Sequence, residues 1–166
     1  MTIYYNSQII CFRSFSLYID AKHAFTIMEF LPKNVYHVFN QGNNREVIFR
    51  QNEDYLIFLK EIRKLIFPHC EIVAYCLMPN YFHLIIYTDE RVEQFAKQGG
   101  LLLDPVTNGL RKLLSGYARI FNKRYSRTGS LFWPKTKSKL LTEDSIVINA
   151  PGIQVDYCAN CFIYVQ

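Results

Sequence analysis

Two short apolar runs, residues 72–77 and 82–87, are joined by Met78-Pro79-Asn80 in the segment Tyr75-Cys-Leu-Met-Pro-Asn-Tyr-Phe-His-Leu-Ile-Ile-Tyr87. Both are short, rich in β-branched and aromatic residues and bounded by turn formers, so they read as strands. Residues 35–41 alternate as a further strand, and Gly42-Asn43-Asn44 makes a turn, because glycine and asparagine reach positive φ at little cost. Helical spacing occurs twice. Tyr55, Phe58, Leu59, Ile62, Leu65 and Ile66 share one face from a start at Asn52 or Asp54 until Pro68 ends the run. Leu110, Leu113, Leu114, Tyr117 and Phe121 form a stripe on a second helix from Val106 to about Tyr125. Gly99-Gly100 and Asp104-Pro105 mark loops, Arg127-Thr128-Gly129 stops the second helix, a strand is expected after it, and residues 142–152 read as a loop. Strands interspersed with helices in this order give the α+β class.

With 166 residues and 50% hydrophobic content the chain can bury one sizeable core, so one domain is expected. No apolar run reaches the roughly 18 residues of a membrane span, and the N-terminus lacks the charge-then-apolar layout of a signal peptide, so a cytoplasmic protein without a membrane partner is expected. Five cysteines, an odd number without paired short spacing near histidines, argue against a disulfide framework and a zinc module. Cys158 and Cys161 read as packing residues of a helix.

Charge is polarised along the chain. Between Asp104 and Glu143 there is no acid, while Arg111, Lys112, Arg119, Lys123, Arg124, Arg127, Lys135, Lys137 and Lys139 all fall there, nine of the 19 basic residues of a chain whose net charge is +5. Interleaved with Tyr117, Phe121, Tyr125, Phe132 and Trp133, this stripe suits phosphate contacts and base stacking on single-stranded nucleic acid. The plainer reading is a solvated helix face above core aromatics.

Several ordered motifs resemble the HUH single-tyrosine transposases, in particular the REP-associated tyrosine transposase branch. They are Tyr36-His-Val-Phe-Asn-Gln-Gly-Asn-Asn-Arg45, Ile48-Phe49 followed by Glu53-Asp54-Tyr55, Cys76-Leu-Met-Pro-Asn80, Leu113-Leu-Ser-Gly-Tyr-Ala-Arg-Ile-Phe-Asn-Lys-Arg-Tyr125, Arg127-Thr-Gly-Ser-Leu-Phe132 and a closing helix from Tyr157 to Gln166. The resemblance runs from about Val35 to the C-terminus, which gives a transposase domain over residues 28–166 behind a poorly matching extension, 1–27, with Met28 as the suspected original start. It implies a ferredoxin-like or RRM-like fold, an antiparallel sheet with helices packed on it. It also implies a partner in single-stranded or hairpin DNA, action as a dimer or monomer, and strand cleavage and rejoining through a tyrosine–5′-phosphate intermediate.

That chemistry needs a phenolate attacking in line and a divalent cation on the scissile phosphate. Residues i and i+2 of a strand share a face, so two histidines so spaced can hold one ion. Here position 83 is histidine but position 81 is Tyr81, and a protonated phenol is a poor ligand for Mg²⁺ or Mn²⁺. The resemblance makes His83 and the degenerate Tyr81 the metal positions, with Asn122 as a further oxygen ligand and His37 as a neighbour able to reach across the sheet. It makes Tyr117 the nucleophile, with Tyr125 its understudy, and Arg45, Arg111, Lys112, Arg119, Lys123, Arg124 and Arg127 the DNA contacts. Read from the residues alone, His83 is a sheet histidine satisfied by a neighbour and Tyr117 a core tyrosine. Two rivals follow: a DNA-binding remnant that has lost its nuclease, and an RNA-binding module in which aromatics such as Phe82 stack bases.

Overall fold

The computed structural model describes residues 30–98 and 101–141. The expected extension at 1–27, the start at Met28, the loop at 142–152, Cys158, Cys161 and the closing helix at 157–166 lie outside the described residues.

Strand β1, Asn34–Gln41, buries Tyr36, Val38 and Asn40 on one face, as its alternation requires. The turn after it brings Gly42 so close to the Glu46 carbonyl that a Cβ would collide with it, and Asn44 adopts φ 52°. Helix α1, Asn52–Leu65, starts with a capping box between Gln51 and Asp54 and buries Tyr55, Phe58 and Ile62. Strands β2, Glu71–Met78, and β3, Tyr81–Thr88, form the expected pair. Their connecting turn is anchored: the Pro79 carbonyl accepts from the amides of Ile48 and Phe49 at 2.7 and 3.0 Å, and the Asn80 carbonyl accepts from Gly42 at 2.9 Å.

Two short strands not foreseen in the sequence, β4 (Ala96–Gln98) and β5 (Leu101–Leu103), pair antiparallel. Asp104 is not merely a loop residue: its carboxylate accepts from the Thr107 amide at 2.8 Å and caps helix α2, Pro105–Arg124, with proline at the first helical position where no amide is needed. The strand expected between the end of α2 and residue 142 is β6, Lys137–Leu141, and ahead of it Phe132 forms an isolated bridge to Gly42.

The main sheet runs β2-β3-β1-β6 with every neighbouring pair antiparallel. Each helix thus links two strands that are separated by a third, the split βαβ arrangement of ferredoxin-like folds. Both helices cover the same face. Phe58 packs against Phe82 at 5.2 Å and against Tyr117 at 5.0 Å between ring centroids, and Tyr117 also meets Phe132 at 6.0 Å. Helices α1 and α2 touch at Gly109, where any Cβ would run into the Leu65 carbonyl. No helix among the described residues is long and apolar enough to cross a membrane.

Candidate nucleic-acid interface

With Tyr36, Val38, Phe82, Leu84 and Ile86 turned toward the helices, strand periodicity turns His37, Phe39, Tyr81 and His83 to the opposite face. Register sets Phe39 beside His83, and β6 adds Lys137 beside Phe39 and Lys139 beside His37. The result is a ladder of nearly parallel rings on the two central strands. His37 lies 4.7 Å from Phe39 and 5.1 Å from His83, Phe39 lies 5.8 Å from His83, and Tyr81 stacks at 6.1 Å on His83 with only 9° between planes. The Lys137 ammonium sits 5.8 Å from the Phe39 ring centroid.

His37 does reach across the sheet: its Nε2 is 2.9 Å from His83 Nδ1. One ring donates and the other accepts, so in either tautomer the pair keeps one outward N–H and one outward lone pair. Burial, then the neighbouring His37, pushes the His83 imidazole down from 6.5 to about 4. Burial and Lys139 also lower His37, so the pair is neutral at pH 7. A neutral donor bordered by two ammonium groups suits a phosphate.

It does not suit the expected Mg²⁺ or Mn²⁺. Those ions seek oxygen ligands, and among the described residues no group of three or more His, Cys, Asp or Glu side chains comes together. Here two imidazoles and a phenol stand next to Lys137 and Lys139, whose charge repels a cation.

The other expected site residues are not gathered at this face. Tyr117 lies in the core under the helices, 1% exposed, its hydroxyl donating to the Ile48 carbonyl at 2.6 Å, and burial drives its phenol far above the ordinary tyrosine value. Placed there, it offers no oxygen to a phosphate lying on the opposite face. Asn122 spends its amide within the loop that ends α2, donating to the Gly129 carbonyl at 2.9 Å and accepting from Arg127 at 3.1 Å, which places it away from the metal role proposed for it. Arg127 also binds the Glu46 carboxylate and the Ser130 carbonyl. Arg124 bonds to Asp54 at 2.9 Å and Tyr125 donates to the same carboxylate at 2.7 Å. Burial raises Asp54, but hydrogen bonds from Tyr125, the Arg50 and Gln51 amides and Arg124 outweigh it and hold the carboxyl below its ordinary value. Arg124, Tyr125 and Arg127 therefore hold the two helices and the following loop together. Arg45, Arg111, Lys112, Arg119 and Lys123 are exposed, as DNA contacts would be.

Phe82, invoked for stacking, is fully buried, whereas Phe39, Tyr81 and Tyr87 lie half-buried on the opposite face. Phe39, Lys137 and Lys139 join this face in addition to the residues expected from the sequence. The i, i+2 spacing of the lysines and the alternation through 35–41 were the signals that could have found them.

No protein-family model and no curated protein matches the chain. Two solved structures are similar to it in overall shape. One is a REP-associated tyrosine transposase bound to a REP hairpin, with a TM-score of 0.48 and 11% identity over 73% of this chain. The chain covers 64% of that protein, less than two thirds of its length. The other is a protein of Deinococcus radiodurans R1 described as a transposase, with a TM-score of 0.47 and 17% identity over 74% of this chain and 89% of the other.

Proposed function

We propose that this chain is a transposase-type protein that binds single-stranded or hairpin DNA on the face of its sheet turned away from α1 and α2. The observation that carries the reading is the ring ladder His37, Phe39, His83 and Tyr81, flanked by Lys137 and Lys139, on the two central strands. Parallel rings offer surfaces to unstacked bases, the lysines neutralise phosphates, and the outward imidazole N–H donates to a phosphate oxygen. The sequence motifs shared with the REP-associated transposases direct the choice toward DNA.

Between an active strand transferase and a binding remnant, the remnant is the better supported. Tyr117 is engaged in the core, and the two-histidine centre lacks an acidic ligand among the described residues. In this reading Tyr81 acts as a stacking platform in place of a metal ligand.

The test is fluorescence anisotropy of labelled single-stranded, hairpin and duplex DNA and of an RNA hairpin, with wild type, His37→Ala and Lys137→Gln/Lys139→Gln. Removing two phosphate contacts on a single strand should lower the slope of log affinity against log salt by about 1.4. Equal binding to duplex, or indifference to all these variants, would refute a single-strand site on this face. Tighter binding of the RNA hairpin would favour the RNA-binding rival, which the half-buried Phe39 and Tyr81 also suit. A Mn²⁺-dependent covalent adduct lost in Tyr117→Phe would restore the transferase reading.

A further inference from the structure

Around the β6 edge from the ring ladder, a second concavity of about 420 Å³ opens between α2 and the segment that precedes β6. Its size falls within the roughly 300–1,000 Å³ of small-ligand sites. One wall is a single face of α2, with Asn108, Arg111, Lys112 and Ser115 at three- and four-residue spacing. The other is Phe132-Trp133-Pro134, with Trp133 44% exposed. Among the described residues no acidic side chain lines it.

The segment carrying Trp133 is held in place. The buried Asn40 amide donates to the Trp133 carbonyl at 3.2 Å and to Thr136 Oγ1 at 3.0 Å, while the Trp133 amide donates to the Gln41 carbonyl at 2.9 Å. An exposed indole on a fixed backbone is a stacking surface with little entropy left to lose. Arg111 and Lys112 are exposed and take part in no ion pair among the described residues. The larger cavity of about 540 Å³ beside the start of α1 lacks this character. Its one arginine, Arg50, stacks over Phe121 and Tyr125 at 5.3 and 4.6 Å, and Glu46 contributes the opposite charge.

We infer that this groove takes one nucleotide of a bound single strand, its base against Trp133 and its phosphate against Arg111 and Lys112. Asn108, whose side-chain carboxamide makes no hydrogen bond among the described residues, is placed to read a base edge. The site deepens the single-strand reading above, since a strand crossing the ring ladder would leave it past Lys137 toward Trp133. Arg119 and Lys123, one and two turns beyond Ser115, extend the same basic face.

Trp133 is the only tryptophan in the chain, so its emission reports on the groove alone. The experiment titrates the full chain with a thymidylate 12-mer and, separately, with heparin, following tryptophan emission and, with labelled oligonucleotide, anisotropy. Saturable quenching by the 12-mer but not by heparin is expected, because heparin has charge without bases. Trp133→Ala should weaken 12-mer binding roughly 5- to 150-fold, the range of one base-stacking contact. Arg111→Gln/Lys112→Gln, which gives up one phosphate contact, should reduce the salt slope by about 0.7. Unchanged emission at anisotropy saturation, or wild-type binding by Trp133→Ala, would overturn the groove. The sheet-face reading fails separately, if His37→Ala and Lys139→Gln bind like wild type while quenching persists. No binding of the 12-mer by either signal would overturn both.

Discussion

Replacing Tyr117 by phenylalanine separates two accounts of that residue. The hydroxyl donates a 2.6 Å hydrogen bond to the Ile48 carbonyl inside the core, among Phe49, Phe58, Phe121 and Phe132. Phenylalanine fills nearly the same volume, so cavity formation contributes little. The loss is the hydrogen bond together with the burial of an unsatisfied carbonyl oxygen, about 1–3 kcal/mol. At about 2–4 °C per kcal/mol for a domain of 166 residues, the melting temperature should fall by at least about 2 °C. Urea denaturation followed by circular dichroism gives the free energy, and anisotropy on a single-stranded oligonucleotide gives the affinity. The expected outcome is a destabilised protein whose DNA affinity at a temperature well below its transition matches wild type. A variant as stable as wild type would refute the structural role, and one that had lost a covalent DNA adduct while keeping its stability would show that the phenol leaves the core to react.

Two glycines on α2 should respond to alanine with opposite signs. Gly116 has open space where a Cβ would go, so Gly116→Ala should stabilise by about 0.5–1 kcal/mol, whereas Gly109→Ala must push α2 away from the Leu65 carbonyl of α1 and should cost about 1–3 kcal/mol. Asp54→Ala removes the capping box and the anchor of Arg124 and Tyr125; the lost cap alone should cost about 0.5–2 kcal/mol in urea denaturation, without loss of DNA affinity. His83 has a folded pKa of about 4 against 6.5 unfolded, so the unfolded chain takes up the proton first. Its contribution to stability is therefore complete above pH 6.5 and lost as pH falls toward 4; urea midpoints measured from pH 7.5 to 4 should drop less steeply in His83→Gln than in wild type.

Local signals were legible wherever one force dominated. Alternation gave β1, the Met-Pro-Asn turn gave the β2–β3 pair, and the apolar stripes gave both helices to within a residue or two. The strand after α2 is present as β6, while β4 and β5 are too short for their periodicity to show. The site was harder. A helical stripe containing Tyr117 can mean either a core residue or a nucleophile, and only the position of Ile48, far away in sequence, decides where that hydroxyl points. The same holds for basic side chains: nothing in Arg124 or Arg127 distinguishes a phosphate contact from a brace until Asp54 and Glu46 are seen opposite them. His37 and His83 meet because of register, a property of two strands together.

Strand β1 serves both sides of the sheet at once. His37 and Phe39 belong to the ring ladder, while the intervening and following residues, Val38 and Asn40, support the core and the segment that carries Trp133. Its odd and even positions are thus two interleaved texts written on one line of backbone. Substitutions can edit either text separately, but inserting or deleting one residue between Asn34 and Gln41 shifts both out of frame together. Variation in this strand should accordingly be tolerated letter by letter and forbidden in length.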